Sequence, residues 1–178
     1  MKRLLTGLLF VLISGCASIP DDGHHVDRVE LTRFMGDWFV IAHIPLPPEK
    51  QAFNAVESYR LDEQGRIEVR FRFRKGSPEG PLKSYTPVAT VAEHPSNAIW
   101  RMQFLWPFQA DFRIVWLNED YSITVIGREK RDYAWIMARQ PGIGEQQLAD
   151  LVAFLDAEGY PTGSLRIVPH QWQGAPGY

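Results

Sequence analysis

The sequence predicts an all-β fold: an eight-stranded antiparallel up-and-down barrel with one C-terminal α-helix packed on its outside. Three observations predict it. Arg66 to Arg74 alternates strictly, with Ile67, Val69, Phe71 and Phe73 on one face and Arg66, Glu68, Arg70, Arg72 and Arg74 on the other. Turn signals such as Asp62-Glu63-Gln64-Gly65 and Glu129-Lys130-Arg131-Asp132 recur at short intervals between runs rich in Val, Ile, Thr and aromatic residues. Helical spacing appears clearly once, at Leu148, Leu151, Val152 and Leu155. Strands that follow one another through short hairpins can close on themselves, which removes exposed edges.

The chain has 178 residues, 45% of them hydrophobic and 12% aromatic, enough for one domain with a sizeable core. A net charge of -2 gives no reason to expect nucleic acid as a partner. The single cysteine, Cys16, excludes an internal disulfide.

Lys2 and Arg3 precede an apolar run from Leu4 to Leu12, too short for a membrane span, which needs about 20 residues. Ile13-Ser14-Gly15-Cys16 then resembles a bacterial lipoprotein signal. The resemblance implies a signal peptide over residues 1–15 and acylation of Cys16, with Ala17 pointing to the outer membrane and a periplasm-facing domain. More than one acyl chain holds a protein on a bilayer stably. Residues 16–30 read as the acylated cysteine and a flexible tether, in which His24 and His25 are solvated rather than metal-binding.

The strands follow in order, at about 37–45, 54–62, 65–74, 84–93, 98–106, 111–117, 121–128 and 132–139. Gly36 allows a tight turn into the first, and Trp38 places a large aromatic plate at its base. Phe39 to Ile44 is apolar on both faces, as in a strand covered on both sides. The helix is expected over about 144–158, with Glu145 in its first turn and Gly159 and Pro161 ending it. The doubly apolar first strand is its natural seat. Leu165 to Val168 reads as a short extra strand, and residues 171–178 as a frayed tail.

Alternation places Tyr59, Phe71, Phe73, Met102, Phe104, Phe112, Ile114 and Trp116 inside the barrel. Such a lining can desolvate an apolar ligand, at about 0.8 kcal/mol per buried methylene. Glu57 shares the face of Tyr59 and Leu61. A lone buried carboxylate is costly, so Glu57 is expected at the open rim in water. The alternative is that it meets a cationic headgroup or an inward arginine, Arg101 or Arg113. Leu105-Trp106-Pro107-Phe108 is read as a packed corner, the commonest fate of such a loop, with an exposed interface and a membrane contact as the open alternatives. No Gly-x-Ser-x-Gly elbow, metal-ligand spacing or phosphate-binding glycine loop is present, so no catalytic residue, metal or cofactor is assigned.

Gly36-Asp37-Trp38, Arg131-Asp132-Tyr133 before the last strand and Arg139 at its end resemble the lipocalin signatures. Trp106-Pro107-Phe108, Asp132 to Arg139 and Gln140-Pro141 resemble the bacterial subgroup of that family, over a lipocalin region of about 31–170. The resemblance implies that Arg139 packs across Trp38 as a structural clasp, a contact worth about 0.5–2 kcal/mol. It implies an outer-membrane lipoprotein that binds a fatty acid or lysophospholipid non-covalently. Gly144 departs from the Ser or Thr helix cap frequent in the subgroup. Two other readings stay open: a structural envelope lipoprotein with a filled barrel, and a carrier of haem through His43 or His94. Monomer and homodimer are both open.

Overall fold

A computed structural model describes residues 23–171. The signal peptide, Cys16, the first part of the tether and residues 172–178 of the expected tail lie outside the described residues.

After a short helix, α1 (Leu31–Phe34), the chain forms β1 (Gly36–Ile44), β2 (Ala52–Leu61), β3 (Ile67–Lys75), β4 (Leu82–Tyr85), β5 (Val88–Val91), β6 (Ile99–Leu105), β7 (Phe108–Leu117), β8 (Ile123–Gly127) and β9 (Ala134–Ala138). Helix α2 (Glu145–Ala157) and a short β10 (Arg166–Ile167) complete it. Neighbours in the sheet run β10-β1-β2-β3-β5-β6-β7-β8-β9, and β9 also pairs with β1, so the sheet closes. The strand expected over 84–93 is two pieces, both paired with β3. Pro87 lies between them and donates nothing to the ladder, while its carbonyl accepts the Val69 N–H at 3.1 Å. Counting β4 and β5 as one broken strand gives the eight-stranded barrel that the pattern predicts.

Because the strands alternate in direction, loops 62–66, 92–98 and 118–122 gather with α1 at one end, and loops 45–51, 76–81, 106–107 and 128–133 at the other. The first end is closed. Trp38 and Phe34 are fully buried there, their rings 5.0 Å apart, and the Trp38 indole N–H donates to the Phe34 carbonyl at 2.8 Å. The Arg139 guanidinium lies 3.8 Å from the Trp38 ring centroid. It donates to the carbonyls of Asp37 at 2.8 Å, Arg33 at 2.9 Å, Phe34 at 3.0 Å and Met35 at 2.8 Å. One side chain at the end of β9, just past Ala138, therefore terminates α1 and ties it to β1. Gly36, at φ +94°, brings the backbone close: a Cβ there would sit 3.3 Å from Arg139 Nη1.

There are two cores. The inner one fills the barrel and includes Trp38, Tyr59, Phe71, Trp100 and Phe112. The outer one lies under α2, where Leu151 and Leu155 pack with Ile41, Ile44, Val125 and Ile136. From Trp38 onward, β1 is buried at every position, which explains its two-faced apolar run. Helix α2 begins after Gly144 with no side-chain cap. β10 pairs with β1 through Ala42 and His43.

The tether expectation is corrected from Gly23 onward. Val29 is fully buried, and its N–H donates to the Ser96 carbonyl in a closed-end loop at 2.7 Å. The Val26 N–H donates to the Ile114 carbonyl at 2.9 Å. His24 is 5% exposed, with Nε2 at 2.6 Å from the Tyr160 hydroxyl and Nδ1 at 2.9 Å from Glu158. Val26, Val29 and the aromatic contact of His24, not a polar linker composition, decide the fate of this segment.

Two stability predictions follow from these contacts. Arg139→Ala removes a charged donor to five carbonyls, Tyr121 included, and is expected to cost about 2–4 kcal/mol in urea unfolding, with Arg139→Lys recovering less than half. A Cβ at Gly127 would lie 2.0 Å from the Tyr160 hydroxyl. Gly127→Ala is therefore expected to destabilise by about 1–3 kcal/mol, and less in a Tyr160→Phe background, as a double-mutant cycle would show.

Candidate functional site

A cavity of about 240 Å³ opens at the end opposite the Arg139 clasp. Its walls come from strands all round the barrel: Phe71 from β3, Met102 from β6, Phe112 from β7 and Trp135 from β9. Leu46 and Pro48 of the loop after β1, Tyr85 of β4 and Tyr133 before β9 complete the apolar lining. Its floor is an aromatic plug. Tyr59 lies 5.5 Å from Phe34 and from Trp100, and Trp100 stacks on Phe112 at 4.9 Å.

The inward residues expected from alternation divide into three groups. Phe71, Met102, Phe104, Phe112 and Glu57 line the cavity, with Phe104 at its mouth and 62% exposed. Tyr59, Phe73 and Ile114 are buried in the inner core without lining it. Trp116 is a correction: it packs with the outer cluster. The register of β7 on β8 shifts between Ile114 and Trp116, and this bulge ends the simple alternation. Tyr85, Tyr133 and Trp135 were missed. Trp135 sits in a readable strand, whereas Tyr85 and Tyr133 border turns whose fold only the closed barrel defines.

Glu57 is also a correction. It is 3% exposed, inside the barrel, and not in water at the rim. The Tyr59 hydroxyl donates to its Oε2 at 2.6 Å. Burial dominates and pushes the carboxyl up to about 8, against the opposing effect of the Tyr59 hydrogen bond. Glu57 is thus neutral at pH 7, which removes the cost of an unpaired buried charge. Arg113 does not meet it: that guanidinium reaches Asp111 at 3.1 Å and Glu129 at 3.3 Å. Glu49 accepts from the Trp135 indole N–H at 3.4 Å and lies 3.4 Å from His43 Nδ1. At the mouth, Arg128 donates twice to Asp132, at 2.5 and 2.9 Å. Asp132 of the signature thereby fixes a cation at the entrance, and its own carboxyl is held below the usual range chiefly by that bond.

Neither histidine considered as a haem ligand lines the cavity. His94 is in a closed-end loop, 2.7 Å from the Ser96 hydroxyl, and His43 is fully buried beside Glu49. Among the described residues no group of three His, Cys, Asp or Glu is placed to hold a metal ion.

The raised Glu57 carboxyl has a signed consequence. The folded state holds a proton that the unfolded chain releases above the ordinary glutamate range, so stability falls as pH rises from about 4.5 to 8. The slope from this one group is about 1.4 kcal/mol per pH unit. Glu57→Gln is expected to flatten the wild-type decline across that window, measured by urea unfolding at a series of pH values.

A family model described as a lipocalin-like domain matches residues 29–170. The outer membrane lipoprotein Blc of Vibrio cholerae is 23% identical over 172 residues, covering 96% of this chain and 100% of that protein. The protein of the same name from Escherichia coli K12 is 24% identical, covering 85% of each. Among solved structures, insecticyanin from the tobacco hornworm Manduca sexta superposes with a TM-score of 0.66 at 15% identity, covering 86% of this chain and 87% of that one. Lobster apocrustacyanin A1 gives 0.61 at 12% identity and 79% coverage of both, a likeness of fold alone. With the Trp38–Arg139 clasp at one end and an apolar cavity at the other, the chain belongs to the lipocalin family and is a bacterial lipocalin of the outer-membrane lipoprotein type.

Proposed function

We propose that the barrel binds one single-chain lipid, a fatty acid or a lysophospholipid, non-covalently, and holds it for storage, transport or scavenging in the outer membrane. Acylated Cys16 is the anchor in this reading. The observation that carries it is the cavity itself: apolar, open at one end, floored by an aromatic plug and lined by the buried Glu57 carboxyl. At about 240 Å³ the cavity is at the small end of ligand pockets, which span about 300–1,000 Å³, so it leaves room for no more than one chain. Each methylene drawn from water contributes about 0.8 kcal/mol. The polar end of the lipid stays at the mouth, where the Arg128 guanidinium lies 5.6 Å from the Tyr133 ring.

Binding is favoured over catalysis by the composition of the lining. It offers no serine, cysteine, histidine or lysine, and its carboxyls Glu57, Glu49 and Asp111 are engaged by Tyr59, Trp135 and Arg113 respectively.

The test is a titration with palmitate and with lysophosphatidylethanolamine below their micelle concentrations, following tryptophan emission. Trp135 lines the cavity and is expected to report saturable one-to-one binding. Ala110 lines the same cavity. Ala110→Trp is expected to weaken binding at least about tenfold by filling space that methylenes would occupy. No response from the wild type to either lipid would favour a filled, structural barrel.

A further inference from the structure

We propose that the barrel docks mouth-first on the bilayer, with the hairpin tip Leu105-Trp106-Pro107-Phe108 as the wedge that enters it. The tip is the opposite of a packed corner. Leu105 is 71% exposed, Trp106 80% and Phe108 73%. Such a cluster on a water-soluble domain marks a binding surface. It is also not isolated. Among the described residues, the other exposed large apolar side chains also lie toward this end: Leu46, Tyr85 and Phe104 line the cavity, Leu82 follows mouth loop 76–81, and Ile167 of β10 pairs opposite Ala42 near the mouth end of β1. Trp and Phe side by side suit the interfacial layer, where an aromatic plate meets headgroups.

The N-terminal segment gives the orientation, which rests on the reading of Cys16 as the acylated anchor. From Val29, bonded in a closed-end loop, the chain passes Ile114 at Val26 and reaches Tyr160 at His24. The Tyr160 hydroxyl lies 3.5 Å from the Arg128 carbonyl, at the mouth end. The segment thus climbs the barrel wall and reaches the mouth end at His24, one residue after Gly23. Cys16 is seven residues before Gly23, so a fully extended link reaches about 25 Å at most. The nine residues of β1, tilted in a barrel, cover about 23 Å of its height. Contact through the closed end would use nearly the whole link, whereas contact through the mouth needs little of it.

Charge agrees with this orientation. Closed-end loops hold Asp62, Glu63, Glu93, Glu119 and Asp120 against Arg66. The mouth loops balance Lys50, Arg128, Lys130 and Arg131 against Glu49, Glu79, Glu129 and Asp132, and Lys75 and Lys83 on the flanking strand ends add two cations. An anionic bilayer surface attracts the second end and repels the first.

The described residues close the barrel and fill both cores without anything before Gly23, so the unacylated chain from Ala17 serves as the probe. It is mixed with vesicles of phosphatidylethanolamine and phosphatidylglycerol that carry brominated acyl chains. Sedimentation with the vesicles and quenching that Trp106→Phe abolishes are expected. Leu105→Ser with Phe108→Ser is expected to lower partitioning at least about tenfold while leaving the palmitate titration unchanged. Equal partitioning of wild type and variant would overturn the proposal. So would a wild type that ignores vesicles but forms dimers the variant does not, in sedimentation velocity; the patch would then join two copies of this chain. Vesicle docking without palmitate binding would keep this proposal and end the carrier reading. Acylated protein held on vesicles with Trp106 unquenched would keep the anchor and end the docking.

Discussion

Barrel closure depends on the contact between Arg139 and the first strand. Strand pairing between β9 and β1 supplies the ladder, but a ladder alone leaves the end of the barrel open to water. The guanidinium covers the Trp38 indole face and collects the last carbonyls of α1, which the helix cannot satisfy itself. One planar cation thereby solves three problems together: the exposed indole, the orphan carbonyls and the position of the plug residue Phe34. Lysine has the charge but not the fork geometry. Gly36 is the backbone counterpart of this arrangement, since its positive φ lets the strand start directly beneath the guanidinium.

β1 then divides the molecule. Its inward residues Trp38 and Val40 belong to the inner core, and its outward residues Phe39 and Ile41 belong to the core under α2. The helix has no cap hydrogen bond from a side chain at Gly144, so packing on β1, β8 and β9 stabilises it more than its own terminus does. Because the outer core braces the wall, the inner core need not fill the barrel completely. A cavity persists above the Tyr59–Trp100–Phe112 plug, since rigid aromatic plates stacked at the closed end do not collapse upward into it.

The fold was largely legible from the sequence because its main signals are local. Alternation in Arg66 to Arg74, the two-faced run after Trp38 and the leucine spacing in α2 each report burial directly. The site was legible in part. Phe71, Met102 and Phe112 follow from period-two reasoning because no irregularity separates them from the strand register that defines the inside. Trp116 did not follow, because a bulge shifts the register and alternation carries no sign of it. Glu57 was placed in water because a carboxylate is costly to bury. The sequence could not show that Tyr59, two residues on, would hold it and that burial would keep it neutral. Residues 23–30 looked polar and loose, yet Val26 and Val29 seat them on the barrel, a contact distant in sequence.

The two ends of the barrel follow opposite rules for the same residue types. At the closed end, tryptophans are buried, their N–H groups bonded to the Phe34 and Asn97 carbonyls, and the surrounding loops are acidic. At the mouth, Trp106 stands in water with Leu105 and Phe108, although folding readily buries side chains of this size elsewhere in the same chain. Among the described residues no large apolar side chain is exposed at the closed end, and those exposed gather toward the mouth, which separates stability from exposure along one axis. The cavity opens along that axis. An apolar ligand leaving it therefore crosses an apolar rim and not a polar one, so transfer into a bilayer touching that rim avoids the hydration cost that transfer through water would impose.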